Sequence, residues 1–237
     1  PLGHTPFNLA PPRRGILAQM PDVRSVGVHT HLGRGEPLVS VPTGCCPQVG
    51  RREVDRQVST IVEGFCFLEA PRWHDGRVWF SDFYTHQVLS ARGDGSDVRV
   101  EADVPGQPSG LGWLPDGRLL VVSMHDARVL RREHHGTLVT HADLSGLVGG
   151  FPNDMVVDAA GRAYVGNFGF PLDAELKTRG VESVIEDHPT TNLARVDPDG
   201  RAHVAAADMH FPNGCVITPD GRTMIVEAGP AFGLLYL

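Results

Sequence analysis

The chain has 237 residues, 41% hydrophobic and 21% charged, with 28 acidic against 21 basic side chains and a net charge of -7. That length holds one large all-β domain or two ordinary ones, and an acidic balance with scattered Lys and Arg excludes the basic footprint of a nucleic-acid or anionic-lipid binder. No apolar run approaches a membrane span or a signal-peptide core, so neither a nucleic-acid nor a membrane partner is expected.

Residues 1–58 hold eight of the nineteen prolines and no sustained apolar period, which predicts an irregular, poorly ordered extension. His4, His29, His31, Cys45 and Cys46 fall in this stretch, but none of them has the spacing of a zinc finger. The four cysteines, at 45, 46, 66 and 215, form no Cys-x-x-Cys pair and no dense disulfide framework. Free thiols in a cytoplasmic protein are the simplest reading.

Near Val58 the pattern changes to short β-rich stretches separated by Asp-Gly and Gly-Arg turns. His74-Asp75-Gly76-Arg77, Pro115-Asp116-Gly117-Arg118, Ala159-Ala160-Gly161-Arg162 and Pro219-Asp220-Gly221-Arg222 each lie between two strand-like segments. Their glycines are spaced by 41, 44 and 60 residues, and the last interval contains a charged stretch, Leu172 to Pro189, that reads as an inserted loop or short helix. Without it the period is that of a propeller blade, ~40–45 residues. The segments Gln87–Ser90, Arg128–Arg131 and Asn192–Val196 supply a third strand to each repeat. The expected fold is therefore all-β, a β-propeller of four-stranded blades over residues 59–237, with room for about four blades. A β-sandwich could use the same hairpins but rarely repeats at a fixed long period.

Aligning the repeats exposes one polar column. Four residues before Trp73, Trp113, Val157 and Ile217 stand Glu69, Ser109, Asn153 and Asn213. The first strand of every propeller blade lines the central channel, so equivalent positions at its mouth converge on the axis. Singly, Glu69 reads as a solvated turn carboxylate and the asparagines as turn or cap residues. Together, a carboxylate and two amide oxygens at one repeat position suit a hard divalent cation, Ca²⁺ foremost, while the absence of His and Cys argues against structural Zn²⁺.

Several phrases also carry a likeness. Glu69-Ala70-Pro71-Arg72-Trp73, Phe80-Ser81-Asp82, Pro152-Asn153-Asp154-Met155 and Pro212-Asn213-Gly214-Cys215, in that order, resemble the gluconolactonase, regucalcin and luciferin-regenerating-enzyme family of senescence-marker-protein-like propellers. The resemblance implies a six-bladed propeller with one divalent cation in its channel and hydrolysis of sugar lactones or related esters. By that likeness Glu69 and Asn213 correspond to metal ligands, and Asn153 to an Asn that meets metal or substrate. Some members carry Arg where this chain has Phe151, which implies a less polar substrate or a different pose. Asn153, Ser109 and Phe151 are thus the residues expected to contact substrate. The family's remaining site residue, an Asp with the role of catalytic carboxylate, is expected one blade beyond Asn213. Leu237 comes 24 residues after Asn213, so the expectation is that this chain stops before its propeller is complete and that its activity is impaired. His134, His135 and His210 stand outside the repeat column and read as surface or turn residues. The alternative function is a non-enzymatic propeller that presents loops to a protein or small-molecule partner.

Overall fold

In the computed structural model, which describes residues 59–228, each Asp-Gly turn closes a hairpin. Asp75 and Gly76 take φ of 48° and 72°, the paired left-handed conformation of a two-residue hairpin turn, and join β1 (Leu68–His74) to β2 (Arg77–Asp82). Two further antiparallel strands, β3 (Gln87–Arg92) and β4 (Arg99–Asp103), complete the first sheet in the order β1-β2-β3-β4. The second sheet repeats this order with β5 (Pro108–Trp113), β6 (Leu119–Ser123), β7 (Arg128–Arg132) and β8 (Leu138–Asp143). A third is built from β9 (Pro152–Val157), β10 (Ala163–Asn167), β11 (Thr191–Val196) and β12 (Ala202–Met209). A pair, β13 (Pro212–Ile217) and β14 (Met224–Ala228), opens a fourth. The architecture is the expected β-propeller: three complete blades and the first hairpin of another among the described residues.

Apolar side chains on the blade faces hold neighbours together. Ala70, Trp79 and Val88 of the first blade bury against Leu111, Leu119 and Val121 of the second, and Leu120, Val122 and Val129 of the second bury with Met155, Val165 and Ala194 of the third. Near the axis the backbones approach more closely than side chains allow. A Cβ added at Gly110 in β5 would lie 2.5 Å from the Met155 nitrogen in β9, and one at Gly166 in β10 would lie 2.1 Å from the Pro212 oxygen in β13. These glycines are where one blade's strand is pressed against the next.

The stretch between β10 and β11 forms two short helices, α1 (Leu172–Arg179) and α2 (Val181–Glu186). Asp173 and Glu175 in the first turn of α1, and Lys177 and Arg179 in its last, complement the helix dipole. Gly180, at φ 78°, ends α1 and starts α2. Phe170, Val184 and Phe211 pin the pair to the blade below. No described helix is long and apolar enough to cross a membrane. The extension at 1–58, with its His and Cys residues, and the segment 229–237 lie outside the described residues.

Candidate functional site

Glu69, Ser109, Asn153 and Asn213 are each the second residue of their blade's innermost strand. In every blade the ladder loses register just there: between Glu69 and Arg72, Pro108 and Leu111, Val165 and Asn167 opposite Pro152, and Pro212 and Cys215. A bulge bends its strand and re-aims side chains, so the repeated irregularity turns these positions out of the regular alternation. Two of them are approached through strained backbone. Gln107 and Phe211, at φ 72° and 47°, each precede a proline and a ring residue.

Three of the four side chains form a hydrogen-bonded chain across the blades. The Ser109 hydroxyl donates to Asn153 Oδ1, and Asn153 Nδ2 donates to Asn213 Oδ1 at 3.2 Å. Ser109 and Asn153 are buried, and Asn213 is half-buried. Below Ser109, its backbone oxygen accepts a hydrogen bond of 2.6 Å from Ser81 Oγ, which ties the first blade to the second. Each amide oxygen keeps a second lone pair. Glu69 does not join this chain and accepts no hydrogen bond among the described residues.

Charge at the axis is unbalanced. Arg72 Nη2 reaches from β1 to Asp154 Oδ1 at 2.7 Å and to the Met155 carbonyl at 2.6 Å. That guanidinium pairs with Asp154, whose charge also acts on two further carboxyl groups, Glu69 and Glu227. Burial, followed by the Asp154 charge, pushes the Glu69 carboxyl up to about 7. The same two causes in the same order raise Glu227. Cys215, buried in the adjoining strand, is pushed up to about 12 by desolvation and then by Asp154, so it stays a thiol and is no nucleophile.

A half-buried carboxyl without a side-chain hydrogen bond, at the strand position that carries two amide side chains in later blades and acted on by the Asp154 charge, has the chemistry of a hard-cation ligand. No three His, Cys, Asp or Glu side chains converge on one point among the described residues. A cation there would rest on Glu69 together with the amide oxygens of Asn153 and Asn213. Phe151, just before β9, packs its ring 5.2 Å from that of His125. The two line an open depression of about 270 Å³ with Val148, Gly149 and Pro171.

The family described as the SMP-30/gluconolactonase/LRE-like region matches residues 67–235. The chain belongs to this family. Among solved structures it is similar to a gluconolactonase from Xanthomonas campestris, with a TM-score of 0.52 and 23% identity over 68% of this chain and 54% of that one. A calcium-binding regucalcin from Agrobacterium tumefaciens gives a TM-score of 0.53 and 22% identity over 69% of this chain and 50% of the other. A chain of a nidogen/laminin complex reaches a TM-score of 0.52 at 16% identity, over 68% of this chain and 57% of that one. At these identities the likeness is one of fold. The chain thus spans between 50 and 57% of the length of these structures. Comparison with curated proteins gives no match.

Within this SMP-30/gluconolactonase-like chain, the structure adds Arg72, Asp154 and Glu227 to the residues singled out from the repeat. Asp154 follows Asn153 directly, and strict alternation would send the two to opposite faces. A charged pair in the middle of otherwise apolar inner strands was the available signal, since Arg72 and Asp154 have Gly112 and Gly110 at the matching positions of β5.

Proposed function

We propose that residues 59–237 are part of a propeller hydrolase that acts on lactones or related esters with the help of a divalent cation, Ca²⁺ foremost. The observation that carries this reading is the column at the second position of each inner strand, where Glu69 shares the position of the hydrogen-bonded Ser109, Asn153 and Asn213 and its own carboxyl accepts no side-chain hydrogen bond among the described residues. Held by Glu69, Asn153 and Asn213, a cation would polarise the carbonyl oxygen of the substrate and stabilise the charge that develops there.

The remaining roles belong to the chain's own side chains. Ser109 and Asn153 offer a hydroxyl and an amide to orient the substrate's polar oxygens, and their mutual hydrogen bond fixes both rotamers before substrate arrives. The Arg72–Asp154 pair holds β1 against β9 and with it the spacing between Glu69 and Asn153. Phe151 places an apolar ring two residues from Asn153, which favours a substrate with an apolar flank over a fully hydroxylated sugar acid. The activity proposed is that of the whole propeller, and the carboxylate that takes a proton from the attacking water is left unassigned.

Hydrolysis of a γ- or δ-lactone panel, with and without Ca²⁺, tests the reading. Turnover that needs the cation and falls at least a hundredfold in Glu69→Gln and in Asn213→Ala is the expected result. Turnover indifferent to the cation and to both substitutions would remove the ring from the chemistry and leave a partner-presenting propeller as the better account.

A further inference from the structure

The inserted helices bring together two histidines that play no part in the channel. His188 follows α2, and His210 lies in the short connection between β12 and β13. Nδ1 of His210 stands 3.2 Å from Nε2 of His188, with the ring centroids 5.0 Å apart and the planes at 78°. The other nitrogen of His188 settles its tautomer. Nδ1 lies 3.0 Å from the Val184 carbonyl oxygen, which can only accept, so Nδ1 carries the proton and Nε2 presents a bare lone pair toward His210. A hydrogen bond from the far ring nitrogen to a backbone carbonyl is the outer-shell contact that orients metal-binding imidazoles.

The packing beneath keeps His188 in place. Its ring lies 5.5 Å from that of Phe170, which is buried with Val184 and Phe211, and burial lowers its pKa. His210 is exposed and borders solvent. The charged groups facing the pair are Asp187, next in the chain to His188, and Arg179 of α1, which is bonded to the Asp187 carbonyl at 2.7 Å.

We propose that His188 Nε2 and His210 Nδ1 form a two-imidazole site for a borderline transition cation of the Zn²⁺ or Ni²⁺ kind, with water completing the shell. Two nitrogens at ~2.0–2.1 Å from a tetrahedral Zn²⁺ stand about 3.3 Å apart, close to the separation already present. The cation takes the place of the proton between the rings, and neutral His210 carries its proton on Nε2 toward solvent. Such a clamp joins the end of α2 to the connection that leads into β13, three residues before Asn213. It is independent of the channel reading, because imidazole nitrogen selects Zn²⁺, Ni²⁺ or Cu²⁺ whereas the oxygen ring selects a hard cation.

Calorimetric titration of the full chain with Zn²⁺ and, separately, Ni²⁺ at pH 7.5 tests the site, using His188→Gln, His210→Asn and the control His203→Gln. The expected result is one saturable site in the parent and the control, weakened at least tenfold in each of the other two and not displaced by Ca²⁺. Zn²⁺ should raise the unfolding midpoint of the parent and control only. If His188→Gln lowers the midpoint without metal, the exposed His210→Asn variant alone decides. Equal stoichiometry and affinity in the parent and in His210→Asn overturn the proposal.

Discussion

Asp116 and Glu69 occupy opposite ends of equivalent inner strands, and they behave in opposite ways. Asp116, in the turn after β5, accepts hydrogen bonds from the backbone nitrogen of Arg118 at 3.1 Å and from its guanidinium at 2.9 Å. Those bonds hold its carboxyl below the usual range. Asp158, Asp199 and Asp220 likewise accept from the backbone nitrogen of a following Arg, at Arg162, Arg201 and Arg222. Glu69, at the start of β1, has no such neighbour and is pushed the other way. A turn carboxylate is satisfied by residues two to four positions along its own chain, so every repeat can carry one without cost. A channel carboxylate meets only what other blades bring to it, and here they bring Asp154. Unmet charge at Glu69, against fully met charge at the turns, is the contrast on which the proposed site rests.

That difference also decided what could be read beforehand. The turns are local, so Asp75-Gly76 and Asp116-Gly117 announced their hairpins, and the glycine period announced the blades. The polar column was legible because repetition aligns it, and Glu69, Ser109, Asn153 and Asn213 do fall at the same strand position. Arg72 and Asp154 stood out singly as charges in the inner strands, but their pairing was not legible, since it joins the first blade to the third and depends on bulges that break alternation. The His188–His210 contact was hidden for a similar reason: the inserted helices fold back so that residues 22 positions apart meet.

The comparison can be broken most forcefully at its glycines. Gly110→Val puts a branched side chain where even a Cβ lies 2.5 Å from the Met155 nitrogen, and should cost about 3 kcal/mol in denaturant unfolding. Gly117→Ala, in an open turn at φ 84°, meets only left-handed strain and should cost about 1 kcal/mol. Equal costs would mean that the blades are not pressed together at the axis.

Next in size is the loss of the Arg72 guanidinium. Arg72→Met leaves Asp154 facing Glu69 and Glu227 uncompensated. Because the pair is partly exposed, at 26% and 14%, the expected loss at pH 8 is nearer 2 kcal/mol than the full penalty of breaking a buried pair. A variant as stable as the parent would show that the carboxyl groups do not feel one another.

Glu69→Gln sharpens the contrast by changing sign. A carboxyl raised to about 7 in the folded chain retains a proton that the unfolded chain releases from its ordinary value of 4.5. Its contribution is therefore intact at pH 4 and lost as pH rises through 7. Without a cation, Glu69→Gln should stabilise the chain at pH 8 by about 1 to 2 kcal/mol and leave it unchanged at pH 4. With Ca²⁺ at a hundred times its dissociation constant the parent gains about 2.7 kcal/mol, and the order should reverse. At the other end of the strands, Asp116→Asn should leave the unfolding midpoint within about 2 °C of the parent.

The claim that unmet charge at the axis is a cation site is tested most directly by Ca²⁺ binding to the full chain, followed calorimetrically at pH 7.5 beside Glu69→Gln and Asn213→Ala. The account predicts one saturable site in the parent, weakened at least tenfold by either substitution and accompanied by release of protons to the buffer as the cation displaces them from the Glu69 carboxyl. Binding of equal strength in all three proteins, or a parent that takes up no Ca²⁺ while Glu69→Gln is more stable under every condition, would contradict it.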